Sequence, residues 1–347
     1  MVPAEVGSPY ILAEFDARRH RENRDYVRAA SLAAEAAETA RTHGDWAGWW
    51  NMTFLRGECL LEGNNYPESA HVASLLSEHA LATRHPQLRV RALTLLTIAL
   101  QASGKLDEAI SAARTATAAV PEGEDSIDLW VHAHRALIGA CAESGRLDEA
   151  WQECLILAGL MNDIVDDQTA GKAYWVIGNV AFLRNDPGNG QKYHDMAAEL
   201  FSPGKDLDLW AKFNKASAAM RLRSEIVDES TLRCIERAEL AAEVVGGSTE
   251  DALLLAMARA HWCYLTGDSL GAIAVVEPVY RNAHALAAQN AAEACFLLGQ
   301  SLHAVGDHDK SRLRLQESAD YFRQAGAPDR EARVLKFLQE KFDLAES

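Results

Sequence analysis

Six cysteines, at 59, 141, 154, 234, 263 and 295, include no CxxC pair and so lack the close spacing that metal ligands and redox dithiols need. They lie in helix-forming text and are expected to be reduced, buried small hydrophobes. Long apolar runs are missing as well: the longest stretches, such as the one around LTLLTIAL, fall far short of the ~20 residues of a membrane helix. The opening MVPAEVGSPY has neither a basic nor an apolar segment, so a cytoplasmic location is expected. Positive charge is scarce. Against 50 Asp and Glu stand 34 Lys and Arg, and the formal charge of −16 opposes direct binding to nucleic acid or to an anionic membrane. Catalytic signatures are wanting too, with no HExxH, GxSxG, P-loop or strand-linked GxGxxG and no strand-rich region to hold one. His132 and His134 are two apart on a helix and diverge, which spoils them as a metal pair, and Asp166 and Asp167 read as solvated or helix-capping carboxylates. The expectation is a protein that is not an enzyme and uses neither cofactor nor metal.

What the chain does have is a period. Asp128-Leu129-Trp130 recurs as Asp208-Leu209-Trp210, and Trp50 lies a further eighty residues upstream of Trp130. GKLDEAISAARTATAAVP at 104–121 places a glycine at a helix end, a short turn, a new helix opening on Leu-Asp-Glu-Ala, and a proline after it; GRLDEAWQECLILAGLM at 145 repeats the pattern. Aligned on the small residue five positions after the turn, the repeats give Ala29, Ser69, Ala109, Ala150, Gly190, Thr231, Ala272 and Ser311, spaced 40, 40, 41, 40, 41, 41 and 39 residues apart. Small side chains belong where two antiparallel helices approach closely, because bulk there would pry them apart. A 40-residue unit holds two helices of about 15 residues and two short turns. With 48% hydrophobic and 24% charged residues the chain can bury such a core and stay soluble.

The unit resembles a tetratricopeptide repeat. Leu96, Leu100, Gly104, Ala109, Ala116 and Pro121 stand where that family expects large apolar, glycine, alanine and proline positions; Leu298, Gly299, Leu302 and Gly306, and again Tyr174, Ile177, Gly178 and Ala181, match its first helix. The match is strong at 90–160 and 290–325 and poor at 205–245. Standard repeats run to about 34 residues, and the longer unit here is similar to those of bacterial peptide-pheromone receptors and of the sensor regions of large ATP-dependent activators. Those regulators usually carry a DNA-binding head, which is not evident in this text. The resemblance implies an all-α, right-handed α-solenoid of about eight helical hairpins. The expected layout is one domain over 1–347: an N-terminal cap or first helix at 1–24, repeats over 25–325 and a C-terminal capping helix over 329–345. Arg18, Arg19, His20, Arg21 and Arg24 give the N-terminal cap a basic face, for solvent or for an acidic partner.

In that family the first helices line the concave face, at positions near 2, 5, 9 and 12 of each repeat. Carried onto this chain, the groove residues are Asn51, Phe54 and Glu58; Arg91, Thr94 and Gln101; His132 and Arg135; Lys172, Trp175, Asn179 and Phe182; Phe213 and Arg223; Met257, His261 and Tyr264; and Glu293, Phe296, Gln300 and His303. Arg91, Arg135 and Lys172 place cations on successive central repeats of an acidic chain, which suits a carboxylate on an extended peptide, while Asn179 and Gln300 can satisfy its backbone. Lys172 and Asn179, seven residues apart, share a helix face and loosely resemble the family's carboxylate clamps without the full lysine and asparagine set. Trp50, Trp130 and Trp210, each near an aspartate able to cap a helix (Asp45, Asp128, Asp206), are expected to pack between repeats. Pro278 should either kink the second helix of the seventh repeat or mark a later start for it. The expected function is a cytosolic sensor or regulator that binds a peptide or protein segment in the groove. The alternative is an adaptor that binds a folded response regulator or transcription factor through its outer face. A homodimer is left open.

Overall fold

The computed structural model describes residues 10–123, 126–161, 165–246 and 248–342, and among these there are helices and turns but no strand. Eight antiparallel hairpins follow one another: α1 (Ile11–Glu22) with α2 (Tyr26–Thr42), α3 (Trp46–Glu62) with α4 (Tyr66–Glu78), and, after the short α5 (Ala80–Arg84), α6 (Pro86–Ala102) with α7 (Leu106–Ala118). Then come α8 (Ile127–Glu143) with α9 (Leu147–Leu160), α10 (Asp167–Leu183) with α11 (Pro187–Leu200), and α12 (Leu207–Arg223) with α13 (Glu229–Val245). The last two are α14 (Thr249–Leu265) with α15 (Ser269–Arg281) and α16 (Ala288–Ala304) with α17 (His308–Gln324), followed by the single helix α18 (Pro328–Phe342). Residues 1–9 of the expected N-terminal cap and 343–345 of the expected capping helix lie outside the described residues.

The turn inside each hairpin carries one residue in the left-handed region: Arg24, Asn64, Gly104, Gly145, Asn185, Glu225, Gly267 and Gly306, with φ between 57° and 88°. Each of the eight small marker residues follows five positions later, except Thr231, which follows six after Glu225. All eight are buried, seven of them completely. The reason for their size is visible at two equivalent places, where Ser69 Oγ donates to the Gly57 carbonyl at 2.8 Å and Ser311 Oγ to the Gly299 carbonyl at 2.7 Å. A Cβ on Gly57 would stand 2.8 Å from Leu95, one on Gly299 2.7 Å from Leu315, and one on Gly190 2.7 Å from the Phe182 ring. Helix backbones this close leave no room for larger groups.

Two compact units are formed, residues 1–193 and 194–347. In the first, Leu100, Ile110, Val131, Ile138, Leu157 and Ile177 belong to one buried cluster. In the second, Val276, Leu297 and Leu298 form one cluster, and Phe296, Leu315, Phe322, Val334 and Phe342 another. The latter joins α18 to α16 and α17, so α18 covers the last hairpin. The opposite end differs from the polar cap expected for it: Ile11, Leu12 and Phe15 on α1 are exposed, at 57%, 77% and 62%. Arg21 docks inside the chain, on Glu58 at 3.0 Å and Glu62 at 2.7 Å.

Asp45, Asp166 and Asp206 cap α3, α10 and α12 by accepting backbone N–H groups. Asp128 does not cap; it sits in the first turn of α8, behind Ser126. Helix α15 runs through Pro278 and stops three residues later at Arg281. Ala274 and Pro278 are both exposed, so water can satisfy the carbonyl that the proline leaves without a donor. The six cysteines are free thiols, five of them buried, and burial pushes Cys154 and Cys295 up to about 12.

Candidate functional site

In the first unit the first helices of successive hairpins, α3, α6, α8 and α10, lie side by side. Their shared face repeats because each left-handed turn resets the register. Thirteen residues before the turn stand Asn51, Arg91, His132 and Lys172; ten before it stand Phe54, Thr94, Arg135 and Trp175. Three of the four residues in the first row are basic or can become so.

The bottom of this wall is aromatic. Trp50, fully buried, stacks on Phe54 with ring centres 5.2 Å apart, and Arg91 lies 4.4 Å over Phe54 and 5.4 Å over Trp50. Phe54 is thus a floor beneath Arg91 and, at 9% exposure, not the ligand contact expected of it. Arg91 is open to solvent, yet desolvation lowers its pKa, partly offset by Glu58. His132 shows the same combination: exposed, but pushed down first by desolvation and then by Arg135 and Lys172, while its Nδ1–H donates at 2.7 Å to the Asp128 carbonyl.

Arg135 is the outlier. Its Nε is shut off from solvent without a hydrogen-bond partner, and among the described residues no carboxylate stands within ion-pair distance of it. Desolvation alone pushes it down to about 10. Lys172, on the next first helix, adds a second cation within electrostatic range of His132, and Trp175 and Asn179, half-buried on the same helix, are engaged with neighbouring groups. Of two residues at the edge of this wall, Phe182 was expected in the groove and His134 was not; both have other roles. His134 is buried against Glu153 at 2.8 Å with Trp130 stacked on it, and Phe182 is core, pressed on Gly190. Gln101 reaches Glu143 at 2.6 Å and Asn51 is exposed.

In the second unit Phe213 is 1% exposed and packs on His194 and Phe201, so it offers nothing to a ligand. The extra residue in this hairpin's turn shifts the register by one. Counted from Glu225, the wall positions are Lys212, exposed, and Lys215, which pairs with Asp251 at 2.6 Å. Sequence reasoning missed both, although the poor match of this repeat was the signal. Tyr264 and Met257 pack on the α14–α16 core, and Trp210 is 8% exposed with Arg237 over it. His303 touches Phe337 and Phe342 of α18, Phe296 lies beneath Arg333, and Gln300 is half-buried. His261 is half-buried and lowered first by desolvation. Arg330 and Arg333, from α18, reach Glu293 at 3.7 and 2.6 Å, a contact the sequence did not suggest.

A recess of about 490 Å³ lies on second helices of the first unit, lined by Asp107, Ile110, Ser111, Arg114, Thr115, Ala118 and Arg146. Its charges are already matched, Arg146 with Asp107 at 2.6 Å and Arg114 with Glu149.

No protein family model matches the chain, and no curated protein sequence matches it. Solved structures do. The APC/C hetero-tetramer Cut9–Hcn1 is similar over 96% of this chain with a TM-score of 0.60 at 13% identity, and this chain spans 57% of the length of that one. Aspartyl phosphate phosphatase F of Bacillus subtilis is similar over 90% of this chain and 89% of its own, with a TM-score of 0.58 at 11% identity. The apo form of RapI aligns over 91% and 98%, with a TM-score of 0.50 at 12% identity. At such identities the likeness is one of fold, that of an all-helical chain built from repeated helical hairpins.

Proposed function

We propose that this chain is a cytosolic, non-enzymatic binding module that takes an extended peptide or protein segment along the α3–α6–α8–α10 wall, with Arg135 receiving an acidic side chain or terminal carboxylate. Arg135 carries the reading. A guanidinium held partly out of water without an opposing charge lowers stability, and such a residue is expected where an anion arrives with the ligand. His132 and Lys172 add to the same field, and Arg91 offers a planar cation over its aromatic floor. The fold neighbours support a protein-binding role, since Cut9 is seen in complex with Hcn1.

The test joins affinity to stability. A peptide captured by the wild-type chain from native cytosol is expected to lose at least about tenfold in affinity, roughly 1.4 kcal/mol, in Arg135→Ala with Lys172→Ala. Arg135→Met, which keeps the aliphatic stem and removes the uncompensated charge, is expected to melt at the same temperature or higher while binding as poorly. Unchanged affinity in both variants rejects the wall as the site. The outer-face reading rests on the recess beside α7 and on Leu155 and Ile156 of α9, 47% and 49% exposed. It requires instead that Arg114→Glu break a complex with a folded partner that Arg135→Met leaves intact.

A further inference from the structure

Helix α1 keeps its small side chains inside and its large ones outside. Inward it presents Ala13 and Ala17, behind Tyr10, to the cluster formed with α2 and α3. Outward stand Ile11, Leu12 and Phe15, and among the described residues nothing covers them. At about 100° per residue Phe15 falls between Ile11 and Leu12 around the helix, so the three make one strip. Contiguous exposed apolar surface of this kind marks an interaction site, where single exposed residues do not.

The strip is bordered by charge of both signs. Glu14 and Arg18 run along one edge, paired at 2.8 Å, and Asp16 and Arg19 along the other at 2.9 Å, with Arg19 also 6.0 Å from the Phe15 ring centre. On both edges the carboxylate precedes the guanidinium. Two such helices laid antiparallel about a two-fold axis near residues 16 and 17 bring each edge against its own copy in reversed order. Glu14 then meets Arg18 of the second copy and Asp16 meets its Arg19, with the two Phe15 rings between them, about one turn apart. A parallel pair would set acid on acid and base on base. Exposed ion pairs within one helix are worth little, so exchanging partners across the axis loses little. The neighbouring charges are accounted for as well. Arg21 is held by Glu58 and Glu62 of α3, and His20 lies 3.0 Å from Asp25. Glu22 falls opposite the first turn of the second copy's α1, where a carboxylate is favoured and Tyr10 supplies no side-chain cap. Residues 11–25 hold four carboxylates and four arginines in a chain of formal charge −16, so copies meet here without the repulsion that a uniformly acidic surface would impose.

We propose that the outer face of α1 is a homodimer interface, an antiparallel α1–α1 contact between two copies of this chain, separate from the Arg135 wall. One helix pair is smaller than the ~1,600 Å² of a standard stable interface, so the dimer is expected to be reversible and to depend on concentration.

The experiment is sedimentation equilibrium of the full chain from about 1 to about 100 µM, where a monomer–dimer equilibrium is expected. Phe15→Glu is expected to weaken it at least tenfold and, because Phe15 is exposed, to keep the wild-type melting temperature at the lowest concentration. Arg18→Glu with Arg19→Glu makes both edges acidic, and Glu14→Arg with Asp16→Arg makes both basic. Each double variant is expected to lose self-association alone, and the two are expected to pair when mixed in equal amounts. That recovery requires a second copy as the occupant and an antiparallel contact. A wild-type chain that stays monomeric throughout, a dimer untouched by Phe15→Glu, growth beyond the dimer, or charge variants that do not pair on mixing overturns the proposal.

Discussion

Ala109 is fully buried on α7, and its equivalents at Ser69 and Ser311 bond to the partner helix's backbone, so these positions set how near two helices can come. Ala109→Leu is expected to overpack the hairpin and lower unfolding free energy by about 1–3 kcal/mol in denaturant melts; equal stability would show that the marker does not sit at the contact. Residues in the left-handed turns act on the backbone instead. Asn64 and Asn185 tolerate that region, but Glu225 at φ 57° gains nothing local from its long side chain. Glu225→Gly is therefore expected to raise stability by about 0.5–1 kcal/mol, the relief of strain being reduced by the entropy that glycine adds to the unfolded chain. A drop in melting temperature would indicate that the Glu225 charge near His261 and Tyr264 matters more than its backbone.

At the scale of the helix, acid should act in two stages. Desolvation lowers the pKa of His132, His134, His261 and His303. A histidine depressed in the fold binds its proton more readily when unfolded, so stability falls as pH drops below about 6.5. The helix-capping carboxylates respond lower down. Asp45 is held down first by the Gly48 N–H, Asp166 by the Thr169 side chain and Asp186 by the Asn189 side chain. Their stabilisation is present above the unfolded value of about 3.9 and is lost as pH falls through the depressed folded values. Thermal melts followed by circular dichroism are expected to show a gradual decline from about pH 6.5 and a steeper one below about pH 4. A melting temperature flat from neutral pH to pH 5 would mean that the histidines are not desolvated as their surroundings suggest.

For the molecule as a whole, the two ends are unlike. Helix α18 buries Val334 and Phe342 against Phe296, Leu315 and Phe322, and its arginines reach back to Glu293. Removing residues 328–347 uncovers that apolar surface, since a solenoid's last repeat cannot bury its face alone. The truncated chain is expected to melt earlier and to aggregate with concentration in light scattering; a monodisperse product with the wild-type melting temperature would deny α18 its capping role. At the other end Leu12 and Phe15 remain exposed on α1.

Much of this was legible before any coordinates. The 40-residue spacing, the eight small markers and the turns between paired helices follow from local rules, namely a backbone that must turn left-handed at set intervals and helices that must touch through small side chains. Side-chain direction was legible only where the register held. One added residue between Glu225 and Thr231 offsets the count from the marker by one position, about 100° around a helix, so that counting back from Thr231 lands on the buried Phe213 instead of the exposed Lys212. Charge balance was not legible at all. Whether Arg135 meets a carboxylate, or Arg330 and Arg333 gather around Glu293, depends on helices brought together from distant parts of the chain. Sequence spacing alone therefore determined the repeat, and tertiary packing decided which of its cations stand uncompensated, because compensation is a matter of ångströms in space.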